Sequence, residues 1–82
     1  MVSNLLRAFG AAVRTRRESL GISQEQLGYR SRSHRNYIGA VERGERNLTL
    51  SKLVAISEAL ELGPDELLRI GIEPKSRRRG GL

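Results

Sequence analysis

Apolar residues recur along the chain at helical spacing, and no stretch alternates in the two-residue period of a strand. Leu5, Leu6, Phe9, Ala12, Val13 and Leu20 form one stripe, flanked by Arg7, Arg14 and Arg17, which predicts a first helix from about Ser3 to Leu20. Gly21 follows as a left-handed stop. Ser23 and Gln26 stand at capping-box spacing, with Ile22 and Leu27 at the staple positions, so a second helix begins there and ends near Arg30. Ser31-Arg32 makes a short turn. Ser33 is placed to cap a third helix running to about Arg43, with Gly44 as its stop. After the polar loop Glu45-Arg46-Asn47, Thr49 caps a fourth helix and Leu48 staples onto Leu53. Leu50, Leu53, Val54, Ile56 and Leu60 are expected on its buried side. Gly63-Pro64 breaks the chain, and Pro64 suits the first position of a fifth helix carrying Leu67, Leu68 and Ile70. Asp65 and Glu66 lie in that helix's first turn, where the dipole favours them. The fold class is therefore all-α with five short helices. Residues 1–73 form one domain, and 74–82 form a basic tail expected to be disordered.

Composition narrows what such a bundle can do. With 82 residues, one Phe, two Tyr and no Trp, the core must be aliphatic and small, so a partner subunit would help to stabilise it. The absence of Cys removes disulfides, thiolate zinc sites and cysteine nucleophiles, and the single His34 cannot build a metal centre unaided. Catalytic, metal and cofactor sites are all expected to be absent: there are no paired acids beside a Gly-rich loop and no nucleophile elbow. No apolar run approaches membrane-spanning length and no signal-peptide core opens the chain, which makes a cytoplasmic protein without a membrane partner the expectation.

The net charge of +6 is unevenly spread. Residues 5–46 hold nine Arg (7, 14, 16, 17, 30, 32, 35, 43, 46) against four Glu (18, 25, 42, 45), whereas residues 47–74 are net acidic. Lys75, Arg77, Arg78 and Arg79 return the tail to positive charge. Arginine suits bidentate contacts to phosphate and guanine better than lysine does, so double-stranded DNA is the favoured partner of the basic half. Arg-rich helices also arise as plain solvated surface.

Two short helices joined by a tight turn inside that basic half suggest a helix-turn-helix. The run Gly21-Ile22-Ser23-Gln24-Glu25-Gln26-Leu27, followed by Tyr37-Ile38 and Val41-Glu42-Arg43-Gly44, resembles the phage-repressor-like (Xre) helix-turn-helix family over roughly residues 7–70. Within it, the stretch from Tyr37 to Thr49 is similar to the controller proteins of restriction–modification systems. The resemblance implies a homodimer on palindromic operator DNA that regulates its own gene and activates endonuclease expression, with RNA polymerase as a candidate further partner. An antitoxin that represses its own operon and binds a toxin is the alternative.

Residue roles follow from both lines. The third helix should enter the major groove with its N-terminal residues on base edges. Ile38 and Val41 face inward, which leaves Arg35, Asn36, Gly39 and Arg43 outward. Arg grips guanine and Asn grips adenine through paired hydrogen bonds, so Arg35 and Asn36 are candidate base readers. Gln24 sits in the first turn of the second helix, where free N–H groups favour phosphate, and the family uses this glutamine as a phosphate clamp. Ser33 and His34 lie at the recognition-helix start as backbone neighbours, His34 being equally readable as plain surface. Tyr37 either offers its hydroxyl to phosphate or is a half-buried structural ring. The resemblance implies DNA contacts for Arg46, to bases, and for Arg43 and Asn47, to the backbone. It also implies that Glu42, an odd acid on a DNA-facing helix, is turned inward and paired with Arg17. Gly28 replaces the alanine usual at its position. Finally, Leu67, Leu68, Ile70 and Ile72 exceed what so small a core can obviously bury and are candidates for a dimer interface.

Overall fold

The computed structural model describes the backbone over residues 2–72 and side chains over residues 4–72. The basic tail, residues 74–82, lies outside the described residues. Five helices follow one another: α1 (Val2–Ser19), α2 (Gln24–Ser31), α3 (Arg35–Glu42), α4 (Leu50–Ala59) and α5 (Pro64–Ile72). Among the described residues there is no strand.

Each helix ends for a local reason. α1 closes with a Schellman arrangement: Ile22 N–H returns to the Arg17 carbonyl and Gly21 N–H to that of Glu18, with Gly21 at φ 71°. At α2, Ser23 Oγ accepts from Gln26 N–H at 3.0 Å while Gln26 Oε1 accepts from Ser23 N–H at 2.8 Å, a complete capping box. α3 stops at Gly44 (φ 75°), with Glu45 N–H on the Ala40 carbonyl. Thr49 Oγ1 caps α4 by accepting from Lys52 N–H. Glu61, left-handed at φ 62°, closes α4 without a glycine. At α5 the Glu66 carboxylate reaches back to Gly63 N–H at 2.8 Å.

The core is aliphatic around one phenyl ring. Val13, Leu27, Ile38, Ile56, Leu60 and Leu67 are fully buried, and Phe9, Ala12, Ile22, Val41 and Ala59 complete the cluster. α5 lies along α1, with Gly71 against the Phe9 backbone, and α2 and α3 pack on each other and on α4 and α1 respectively. Ser57 is the buried polar residue of α4, and its hydroxyl is satisfied by the Leu53 carbonyl at 2.7 Å.

Several expectations are corrected here. The cap of α3 is His34, whose Nδ1 accepts from Asn36 N–H at 3.0 Å, and not Ser33. The reason is the turn: Arg32 adopts the left-handed conformation and Ser33 N–H bonds the Gly28 carbonyl at 2.7 Å, so Ser33 closes α2 before α3 begins. Leu50 and Val54 point outward, at 80% and 40% exposure. The inward stripe of α4 is Leu53, Ile56, Ser57 and Leu60; Val54 lies about 100° round the helix from Leu53, and Leu50 begins the helix beyond the core's edge. Leu5 on α1 is likewise exposed. Leu67 cannot belong to a surface interface, because it is fully buried against the core, while Leu68, Ile70 and Ile72 remain exposed. Gly39 is buried, not outward.

Candidate nucleic-acid interface

The two helices of the motif are set by an ion-pair network at one end and by the turn at the other. Arg17 of α1 grips Glu42 of α3 with two hydrogen bonds, Nε to Oε2 at 2.6 Å and Nη2 to Oε1 at 3.2 Å. Its remaining nitrogen, Nη1, donates to the Ile22 carbonyl at 2.9 Å, ahead of α2. The Arg17 side chain is 11% exposed and that of Glu42 3% exposed, so the pair belongs to the interior. The hydrogen bond to Glu42 holds the Arg17 guanidinium above the usual arginine range, against the opposing pull of burial. Gln24 joins the network: its Nε2 donates to Glu42 Oε1 at 3.0 Å. Three helices thus meet at one carboxylate, and the presence of the acid on a helix expected to face DNA is explained by its inward partners.

Gln24 is half-buried and lies over Gly39, where an added Cβ would stand 3.6 Å from its Oε1 and 3.2 Å from Arg43 Nη1. The roof of Gln24 and Arg43 over Gly39 is why the glycine is buried. Only one amide N–H of Gln24 is engaged, which leaves the other for an external acceptor such as phosphate.

At the opposite end, α2 ends in Arg32 at φ 59° and ψ 43°. Gly28 is a steric requirement of this turn, since a Cβ there would stand 2.5 Å from the Ser33 carbonyl oxygen. Alanine at position 28 would force the turn to move.

The outward rim of α3 carries Arg35 and Asn36 in its first turn, both exposed. Arg35 Nη1 comes within 4.0 Å of Glu25 Oε1 on α2, an open pair of little energetic weight. His34 is exposed at the helix start, with its Nδ1 taken up by the cap. Arg43 is exposed and held by Glu45, Nε to Oε2 at 3.1 Å, which raises its already high affinity for its proton. Tyr37 is half-buried against the core edge and has two cations over its ring: Arg46 at 4.9 Å and Lys52 at 5.4 Å from the centroid. Asn47 is exposed next in the loop. Arg35, Asn36, Arg43, Arg46 and Asn47 all therefore reach solvent, whereas Gln24, Ser33 and Tyr37 are half-buried at the edge of the motif.

Sequence reasoning passed over Lys52. Its Nζ donates to Ser33 Oγ at 2.7 Å and to the Arg32 carbonyl at 3.2 Å, bridging α4 to the turn of the motif. The signal available was slight: a single lysine in a net acidic half, in the first turn of a helix that follows the basic loop.

Among the described residues no group of three His or acidic side chains could hold a metal ion, and no helix is long and apolar enough to cross a membrane.

A capped short helix, a left-handed turn and a second short helix presenting arginine and asparagine define a helix-turn-helix DNA-binding protein. Residues 13–67 match the helix-turn-helix family profile, and the chain belongs to that family. It is 50% identical over 56 residues to the control protein C.SmaI of Serratia marcescens, covering 68% of this chain and 67% of that protein. To the control protein C.BamHI of Bacillus amyloliquefaciens it is 42% identical over 69 residues, covering 83% and 85% of the two chains. The crystal structure of the restriction–modification controller protein C.AhdI from Aeromonas hydrophila superposes with a TM-score of 0.74 at 42% identity, over 76% of this chain and 94% of that one.

Proposed function

We propose that the protein is a restriction–modification controller, a sequence-specific DNA-binding transcriptional regulator acting as a dimer. The observation that carries this reading is the exposed recognition face of α3, locked from behind by Glu42 in a chain similar to controller proteins. The same likeness favours a controller over an antitoxin.

In this reading Arg35, Asn36 and Arg46 read bases. Gln24, Ser33, His34, Tyr37, Arg43 and Asn47 hold the phosphate backbone on either side. A second copy docks through the exposed apolar residues of α5, Leu68, Ile70 and Ile72, without Leu67. Two-fold symmetry makes the operator palindromic, and autoregulation with activation of the endonuclease gene brings RNA polymerase into contact with the DNA-bound dimer. The test is selection of bound duplexes from a random pool by the purified protein. Enriched inverted repeats are the expected result; recovery of unenriched DNA would overturn the reading.

A further inference from the structure

The recognition helix is fastened at its C-terminal end through Glu42, and one lysine of α4 bonds to the turn at its entry. We propose that Lys52 is a positioning residue for sequence reading. It sets the turn that aims α3 and, through Tyr37, the loop that carries Arg46, without itself contacting DNA. This inference rests on the DNA-reading function proposed above.

Three observations carry it. The first is backbone conformation. Arg32 is left-handed at φ 59°, a region disfavoured for residues other than glycine. Such a conformation persists only where its surroundings impose it. Lys52 Nζ donates to the carbonyl of that same residue, at 3.2 Å, and to Ser33 Oγ at 2.7 Å. Among the described residues these are the only side-chain hydrogen bonds from α4 to the helix-turn-helix. The second is the placement of the ammonium 5.4 Å from the centre of the Tyr37 ring, over which Arg46 also lies at 4.9 Å. The turn before α3 and the loop after it therefore share one anchoring charge. The third is valence. An ammonium has three N–H groups, and the half-buried Lys52 commits two of them to protein acceptors. That arrangement suits a strut better than a phosphate contact.

A phosphate contact and a strut give opposite signatures. Loss of a phosphate contact weakens all sequences alike and lowers the salt slope by about 0.9. Loss of a strut blurs discrimination while the number of phosphates neutralised stays the same. The experiment measures binding of the full chain to a selected operator and to a random duplex of equal length, across a salt series. Lys52→Met, Ser33→Ala and the double variant are compared with the unaltered protein. Lys52→Met is expected to lower the operator-to-random affinity ratio about tenfold, the scale of one impaired base contact, with the salt slope on random DNA unchanged. Ser33→Ala, which keeps every charge, should lower the ratio in the same direction, and the double variant should fall no further than Lys52→Met alone. Should Lys52→Met unfold, Ser33→Ala decides: an unchanged ratio would overturn the proposal. So would an equal loss on both duplexes with a shallower salt slope. An unaltered protein that does not prefer its selected operator would instead defeat the DNA-reading function, and this inference with it.

Discussion

At the residue scale, the side chains of the interface divide by what they can reach. Arg35 and Asn36 are exposed at the start of α3, and their planar hydrogen-bonding groups match the major-groove edges of guanine and adenine. Gln24 has one N–H committed to Glu42 and one to spare, which orients the side chain for the phosphate contact proposed for it. Arg35→Ala is therefore expected to cost about 1–3 kcal/mol on the operator and to relax preference at a single base pair. Gln24→Ala should weaken every sequence alike, because phosphate contacts carry no base information. Affinities measured on an operator and its single-base variants separate the two, and an Arg35→Ala protein with unaltered base preference would remove Arg35 from the groove. Gly28 supports a second expectation. With a Cβ at position 28 placed 2.5 Å from the Ser33 carbonyl oxygen, Gly28→Ala should destabilise the fold by about 1–3 kcal/mol as the turn yields. A thermal melt checks it, and an undiminished midpoint would show that the turn adjusts freely.

At the scale of elements, the recognition helix depends on its neighbours more than on its own sequence. α3 has only eight residues, too few to be stable alone. It is held by Ile38 and Val41 in the core and by the Arg17–Glu42 pair. Removal of the carboxylate leaves a nearly buried guanidinium without its partner and takes away the acceptor that orients Gln24. Glu42→Ala is accordingly expected to cost about 3–5 kcal/mol, the range for breaking a buried pair. For a domain this small that is a fall in Tm of at least about 12 °C, at about 4–8 °C per kcal/mol. A melt close to that of the unaltered protein would show the pair to be worth no more than a surface one. All five helices were legible in the sequence, because caps and staples such as Ser23, Gln26 and Thr49 are local signals. What sequence could not resolve depends on approach angles. The one-residue shift of the α3 cap to His34 follows from Arg32 taking a left-handed conformation that ordinarily marks glycine. The outward turn of Leu50, the burial of Gly39 beneath Gln24 and Arg43, and the reach of Lys52 to Ser33 depend on how the helices sit against one another. The inward Glu42 was anticipated from family likeness alone; periodicity would have left it on the DNA face.

At the scale of the whole molecule, charge and apolar surface are segregated in a way that fits two copies on one duplex. The basic residues concentrate in the first 46 positions, whereas α5 exposes Leu68, Ile70 and Ile72 at 39%, 45% and 56%. Leu67, one residue away, already supplies what the core needs from that helix. An exposed cluster on a short helix of a thin-cored domain is better satisfied by a second copy than by water. Two-fold pairing through α5 would present two copies of α3 to one face of the DNA, with half-sites inverted and spaced about one turn, roughly 34 Å, centre to centre. Substitution of Ile72→Asp together with Leu68→Asp places charges at the centre of that contact while leaving the buried Leu67 in place. The doubly substituted protein should sediment as a monomer at micromolar concentration and keep its helical content. It should bind single half-sites with little change but lose its preference for the inverted repeat, since the linkage between two binding events is gone. Insertion of five base pairs between half-sites, about half a turn of duplex, should have the same effect on the unaltered protein by rotating one site to the far face. If the substituted protein remains dimeric, the interface lies elsewhere, with the exposed Leu50 and Val54 of α4 the next surface to substitute. If the unaltered protein is itself monomeric both free and on DNA, the palindrome has no physical basis and the two-copy arrangement fails.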